Sequence, residues 1–300
     1  MGQSLFNLLY YVIMQNTILI FGYGYTGSYV AKLLLSQKGW KVIGTSSSSS
    51  LTTETIIIIP YDREAITNVI KLATHILISI PPDENGDIVV GNFVDLLFLA
   101  KNLKWIGYLS STAVYGNHDG ALVSEESALR PSNERAKQRI RAEAQWLEFG
   151  KQHKISVNIF RLAGIYGPKR NALEQLRNGK AKSIFKAGHV FSRIHVEDIA
   201  RVIVAAIKLG SVREIYNLAD DKPCPTFEVN NVAAELLGVI PPPIIHIKDA
   251  ELSEMATEFY NDNKRISNYK IKDKLHIALK YPTFREGLKA IYDWNYGDSI

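Results

Sequence analysis

Apolar residues in this chain come first as short unbroken runs and then at helical spacing, and the two patterns alternate. Residues 17–21 form a run that stops at Gly22, as a strand buried on both faces does. Residues 25–37 place Val30, Leu33 and Leu34 on one side of a helix. Strands are predicted over 41–44, 55–59 and 76–80, the last ended by Pro81 and Pro82. A helix over 93–101, a strand over 105–109, a long amphipathic helix over 133–150 and a sixth strand over 156–160 continue the series. Such alternation predicts a parallel sheet covered on both faces. Beyond Gly167 the pattern loosens. Helices are predicted over 196–209, 227–237 and 285–294, with a hard break at Pro241 to Pro243. Ser46 to Ser50 reads as a surface loop after the second strand.

The turn after the first strand is Gly22-Tyr23-Gly24-Tyr25-Thr26-Gly27, a G-x-G-x-x-G between a strand and a helix. In that context each glycine has a task. Gly22 makes the tight turn, Gly24 lets the backbone approach a pyrophosphate, and Gly27 lets helix and strand pack closely. The helix start, with Tyr25 and Thr26, offers N–H groups and a partial positive charge to phosphates. The expected fold is therefore α/β: a Rossmann-type doubly wound parallel sheet with a smaller C-terminal substrate lobe. The predicted organisation is an extension over 1–16, a dinucleotide-binding domain over 17–165 to which 192–220 return, and a substrate lobe from 166–191 and 221–300.

The end of the second strand bears on cofactor choice. An NAD site usually has an acid about 20 positions on, holding the ribose hydroxyls. Here Thr45, Ser46 and Ser47 stand there, and hydroxyls do not repel a 2′-phosphate. The expected cofactor is NADP, with NAD as the alternative. Asp62, after the third strand, is either a partner for the adenine amino group or the cap of the next helix.

Composition narrows the field. Of 300 residues 46% are hydrophobic and 22% charged, as in a globular protein. The net charge of +5 comes from scattered basic residues on solvated faces, so no nucleic-acid partner is expected. No apolar run reaches the ~20 residues of a membrane span, so no membrane partner is expected either. The single cysteine, Cys224, forms no internal disulfide, which suits a reducing, cytoplasmic setting. The seven histidines show no metal-ligand spacing, and no metal site is expected. Residues 1–13 read as a short extension or as following an early start, with Met14 just ahead of the first strand.

Several segments together resemble the extended short-chain dehydrogenase/reductase family, of the epimerase/dehydratase type. They are the glycine loop, the stretch from Leu109 to Gly116, Arg161 to Pro168, Ile194 to Ala200 and Glu214 to Asp220, and the resemblance runs from Thr17 to Trp294. It implies that Ser111, at the end of the fifth strand, hydrogen-bonds a reacting oxygen; the alternative is a strand-end serine serving the backbone. The family's acid/base is a Tyr four residues before a Lys on the long helix. Aligned on Ala142-Glu143, those positions hold Arg135 and Arg139. Arginine stays protonated, so Arg135 cannot serve as the acid/base. Arg139 retains the charge and donors to hold the nicotinamide ribose. The family's two phosphate contacts are also replaced, by Gly164 and Phe191, with Arg193 near but out of register. A nucleoside-diphosphate sugar is therefore not the expected substrate. His195 belongs to a structural turn.

Two functions follow. One is an NAD(P)-binding oxidoreductase or epimerase acting on a small substrate, with Ser111 polarising an oxygen and a proton supplied by Tyr115 or Tyr166, unless those rings only pack beside the pocket. The other is an inactive NAD(P)-binding sensor or scaffold. Assembly as a homodimer is left open.

Overall fold

The computed structural model describes residues 16–47, 53, 55–210 and 213–296. The expected extension up to residue 15 and the serines at 48–50 lie outside the described residues.

The strands in chain order are β1 (Asn16–Phe21), β2 (Trp40–Ser46), β3 (Ile56–Pro60), β4 (His75–Ile78), β5 (Trp105–Ser111), β6 (Leu122–Val123), β7 (Ser156–Leu162), β8 (Gly164–Tyr166), β9 (Ser183–Phe185), β10 (Arg193–His195), β11 (Glu214–Leu218), β12 (Ile244–His246) and β13 (Arg265–Ile266). Seven of them make the central sheet, in the order β11-β7-β5-β4-β1-β2-β3. β1 pairs parallel with β2 and β4, β2 with β3, and β4 with β5. The chain runs outward from β1 through β2 to β3, then crosses back to β4 on the other side of β1. That reversal is the switch point of a doubly wound α/β sheet, where ligands bind beyond the carboxyl ends of the strands. The glycine turn, at the end of β1, stands at that switch point. Ile18, Leu19, Ile20 and Phe21 have no exposed surface, which is why the run is unbroken by polar residues.

Local chemistry sets the helix starts. Asp62 Oδ1 accepts from the Ala65 N–H at 2.8 Å and opens the helix Arg63–Ile70. Asp87 Oδ1 accepts from Val89 and Val90 N–H at 2.9 and 3.1 Å and opens Ile88–Leu97, ahead of the expected start at 93. The β-branched run after Asp87 is a weak helix former; the cap and the burial of Val89 override that preference. β5 and β7 run two residues past their expected ends because Ser110 and Arg161, polar in sequence, are buried in the sheet.

The chain divides into two compact units: residues 1–109, 138–159 and 203–214, and residues 110–137, 160–202 and 215–300. The first holds the glycine turn. The second has its own core, in which Tyr166, Cys224 and Val229 pack with Phe284, Leu288 and Ile291 of the helix Phe284–Tyr296. No helix among the described residues is long and apolar enough to cross a membrane.

Candidate functional site

In the first unit the three glycines of the loop face different surroundings. Gly22 has φ +88°, and a Cβ on it would lie 2.5 Å from Ile80 Cγ2. On Gly27 a Cβ would lie 3.0 Å from Gly22 O and 3.1 Å from Ile20 Cγ2. These two glycines are required by the protein's own packing. Gly24 is different: nothing lies within 4 Å of where its Cβ would be. The helix Tyr25–Leu35 starts at Gly24 without a side-chain cap. A helix leaves its first N–H groups without intrahelical partners, and they carry the positive end of its dipole. An uncapped helix start with clear space above its capping glycine fits a pyrophosphate, and so fits a dinucleotide.

Thr45 does something the sequence did not suggest. Its Oγ1 accepts from the Gly22 N–H at 3.0 Å and its carbonyl from the Tyr23 N–H at 2.7 Å, so β2 pins the glycine turn in place. Ser46 is half-buried and Ser47 exposed just beyond it. Asp62 acts as a helix cap, as described above. Arg139 Nη1 donates to Leu109 O at 3.0 Å, at the end of β5. Its charge and a hydrogen bond pull the Tyr108 hydroxyl down, but burial outweighs both and holds that group well above its ordinary range. Arg135 is exposed.

In the second unit Ser111 opens the short turn Thr112–Tyr115, its Oγ accepting from the Ala113 N–H at 3.1 Å. A hydroxyl that accepts still has its proton to donate. Tyr115 is fully buried. Its hydroxyl donates to Asn217 Oδ1 at 2.7 Å and accepts from Arg161 Nη1 at 3.0 Å, with the guanidinium carbon 5.0 Å from the ring centroid. Glu125 Oε1 accepts from the Asn217 N–H at 2.7 Å and completes the group. Burial raises the Tyr115 hydroxyl above its ordinary value, against the pull of Arg161, and it raises the Glu125 carboxyl too.

Tyr166 lies in the second unit's core. Its hydroxyl is 3.4 Å from Thr283 O, its ring meets His195 edge-on at 5.1 Å, and a Cβ on Gly287 would fall 2.2 Å from its Oη. Burial, then Asp220 and Asp198, push the hydroxyl far upward. Tyr115 and Tyr166 are both packed rings with engaged hydroxyls, raised above their ordinary value by burial. His195 Nδ1 accepts from the Glu197 N–H at 3.2 Å at the start of the helix Val196–Leu209, and burial lowers its pKa to about 4. The Cys224 thiol is raised to about 11 by burial and stays protonated.

Arg161 and Asn217 were not singled out from the sequence. The available signal was a charged or amide side chain inside an apolar strand, which must find a buried partner. The partners themselves lie 46 and 102 residues away from Tyr115, beyond any local pattern.

The model of the NAD dependent epimerase/dehydratase family matches residues 18–219. The chain belongs to that family. The structure of a functionally unknown conserved protein from Silicibacter pomeroyi is 38% identical, with 94% of this chain and 99% of that one covered at a TM-score of 0.82. The dTDP-glucose 4,6-dehydratase of Bacillus anthracis, in complex with NAD, shares the fold at 21% identity and a TM-score of 0.77, with 95% of this chain and 97% of that one covered. Among curated proteins, YeeZ of Escherichia coli is 26% identical over 88% of this chain and 96% of its own length. The dTDP-D-glucose 4,6-dehydratase of Dictyostelium discoideum is 27% identical over 60% of this chain, and the match spans only 46% of that enzyme.

Proposed function

We propose that this chain is an NADP(H)-binding, oxidoreductase- or epimerase-like member of the NAD-dependent epimerase/dehydratase family that works on a small substrate without the Tyr-x-x-x-Lys pair. The observation that carries this is the uncapped helix start at Gly24, with clear space where a side chain would be. Gly22 to Gly27 hold the pyrophosphate, Ser46 and Ser47 sit by the adenosine ribose, and Arg139 holds the nicotinamide ribose. The dinucleotide supplies hydride transfer when bound. Ser111 offers a hydroxyl proton to a substrate oxygen. Tyr115 and Tyr166 are given no proton-transfer role, since their hydroxyls are held above the ordinary range.

That same observation supports a second reading. With both tyrosines committed to packing and Arg135 unable to titrate, the chain would be a dinucleotide-binding sensor or scaffold. Side-by-side titrations with NADP(H) and NAD(H) test the cofactor assignment. NADP(H) is expected to bind more tightly, and Ser46→Asp is expected to move the preference toward NAD(H), because a carboxylate repels the 2′-phosphate. Tighter NAD(H) binding by the unaltered protein overturns the assignment. Consumption of bound NADPH by any of a panel of small carbonyl compounds separates enzyme from sensor.

A further inference from the structure

The second unit contains a cavity of about 190 Å³ whose wall includes Arg193, Tyr166, Gln175, Thr226, Asn230 and Phe284. Among the described residues Arg193 is the only charged one in that wall. Its guanidinium is fixed through one nitrogen: Nη1 donates to Phe191 O at 2.9 Å, to Cys224 O at 3.0 Å and toward Cys224 Sγ at 3.3 Å. Cys224 belongs to the same packed core as Tyr166, Val229, Phe284 and Leu288, four residues that also line the cavity. The guanidinium is therefore held at this wall. Among the described residues no carboxylate comes within ion-pair distance of it, and no other hydrogen bond uses its remaining N–H groups. An arginine that is partly buried, positioned and unpaired is a donor fork awaiting an anion.

A neighbouring position makes room for it. β10 pairs parallel with β8, and Arg193 stands opposite Gly164. A Cβ on Gly164 would lie 3.8 Å from Arg193 Cγ and 3.3 Å from Ser192 O. The carboxyls whose fields reach Tyr166 or Cys224 are those of Asp220, Asp198, Glu286 and Glu228. Asp220 is buried and raised to about 7, so it stands partly protonated at neutrality and opposes an anion only weakly.

We propose that this cavity binds the carboxylate or phosphate group of a small molecule through Arg193, with Gln175, Thr226 and Asn230 available for its hydroxyl or carbonyl oxygens. The volume sets the size. It is roughly six times the ~30 Å³ that a water occupies in the liquid and below the ~300 Å³ at which drug-sized pockets begin, which suits a small anion. Calling the ligand a substrate rests on the function proposed above; the binding of the anion does not.

The test is calorimetric titration of the full chain with inorganic phosphate, lactate, glycerol and UDP-glucose in turn. Phosphate, lactate or both are expected to bind, and whichever does identifies the anion; glycerol is expected to bind neither alone nor in competition. Arg193→Met is expected to weaken the anion at least tenfold, and Arg193→Lys less. Gly24→Val should retain it, so a failed dinucleotide assignment and a failed anion site give different results. Absence of binding by both anions, glycerol binding equal to lactate, UDP-glucose binding tighter than either anion, or unchanged anion affinity in Arg193→Met each overturns the proposal.

Discussion

The glycine turn and the Tyr115 cluster hold polar groups in opposite ways. The turn consists of six consecutive residues whose chemistry is nearly all backbone, and its central glycine opens onto clear space. The cluster joins Tyr115, Glu125, Arg161 and Asn217 from four separate segments, and each polar atom named above is already spent on a neighbour. The first is available to a ligand. The second serves the fold. The same polar residue types suggest chemistry in a sequence, and only their partners tell which of the two they do.

The contrast breaks most visibly at Gly24. Gly24→Val should lower dinucleotide affinity at least a thousandfold, about 4 kcal/mol, because the branched side chain takes the space of the pyrophosphate. The space around Gly24 is clear, so the thermal midpoint should stay within a degree or two. Unchanged affinity by calorimetry would remove the turn as the binding site.

The second unit should respond to pH where the turn does not. Asp220 has an ordinary value of 3.8 and is raised to about 7 in the fold, chiefly by burial. The native state therefore binds this proton more tightly than the unfolded chain. The contribution is complete below about 4, is lost as pH rises toward about 7, and is constant above that. The span is several kcal/mol at most, at ~1.4 kcal/mol for each pKa unit. Asp220→Asn should flatten urea-unfolding stability across this window. A slope identical to that of the unaltered protein would show that the buried carboxyl lies elsewhere.

Arg161→Met should cost roughly 3 kcal/mol of stability in urea unfolding, since a charged donor to a buried tyrosine is lost and Tyr115 is left short of a partner. Wild-type stability in this variant would make the cluster a surface feature, contrary to its burial. At the small end, Asp62→Ala should cost about 1 kcal/mol of stability through the lost cap. If instead it weakens the dinucleotide with stability intact, the adenine role is the correct one for Asp62.

Much of the architecture was legible along the chain because it depends on near neighbours. β1 reads as a strand and ends at Gly22 because both its faces are buried, and the helix after Gly24 follows from spacing. The helix Ile88–Leu97 was misplaced at its start because one aspartate's two hydrogen bonds outweighed a β-branched run. Thr45 was read as a ribose contact, and spacing alone did not show that its hydroxyl also accepts from the Gly22 N–H.

What the sequence determined by itself was the alternating α/β order, the glycine turn and the absence of a titratable residue at Arg135. Each is a property of residue type and short-range spacing, where backbone geometry and side-chain pKa leave little freedom. The tertiary structure alone decided the roles of Tyr115, Tyr166 and Arg193. A tyrosine at the end of a strand is the same residue in a cleft or in a core. Burial, with Arg161 and Asn217 brought in from 46 and 102 residues away, made one a structural ring. Conversely, no carboxylate among the described residues lies within ion-pair distance of Arg193, and the anion site proposed above rests on that.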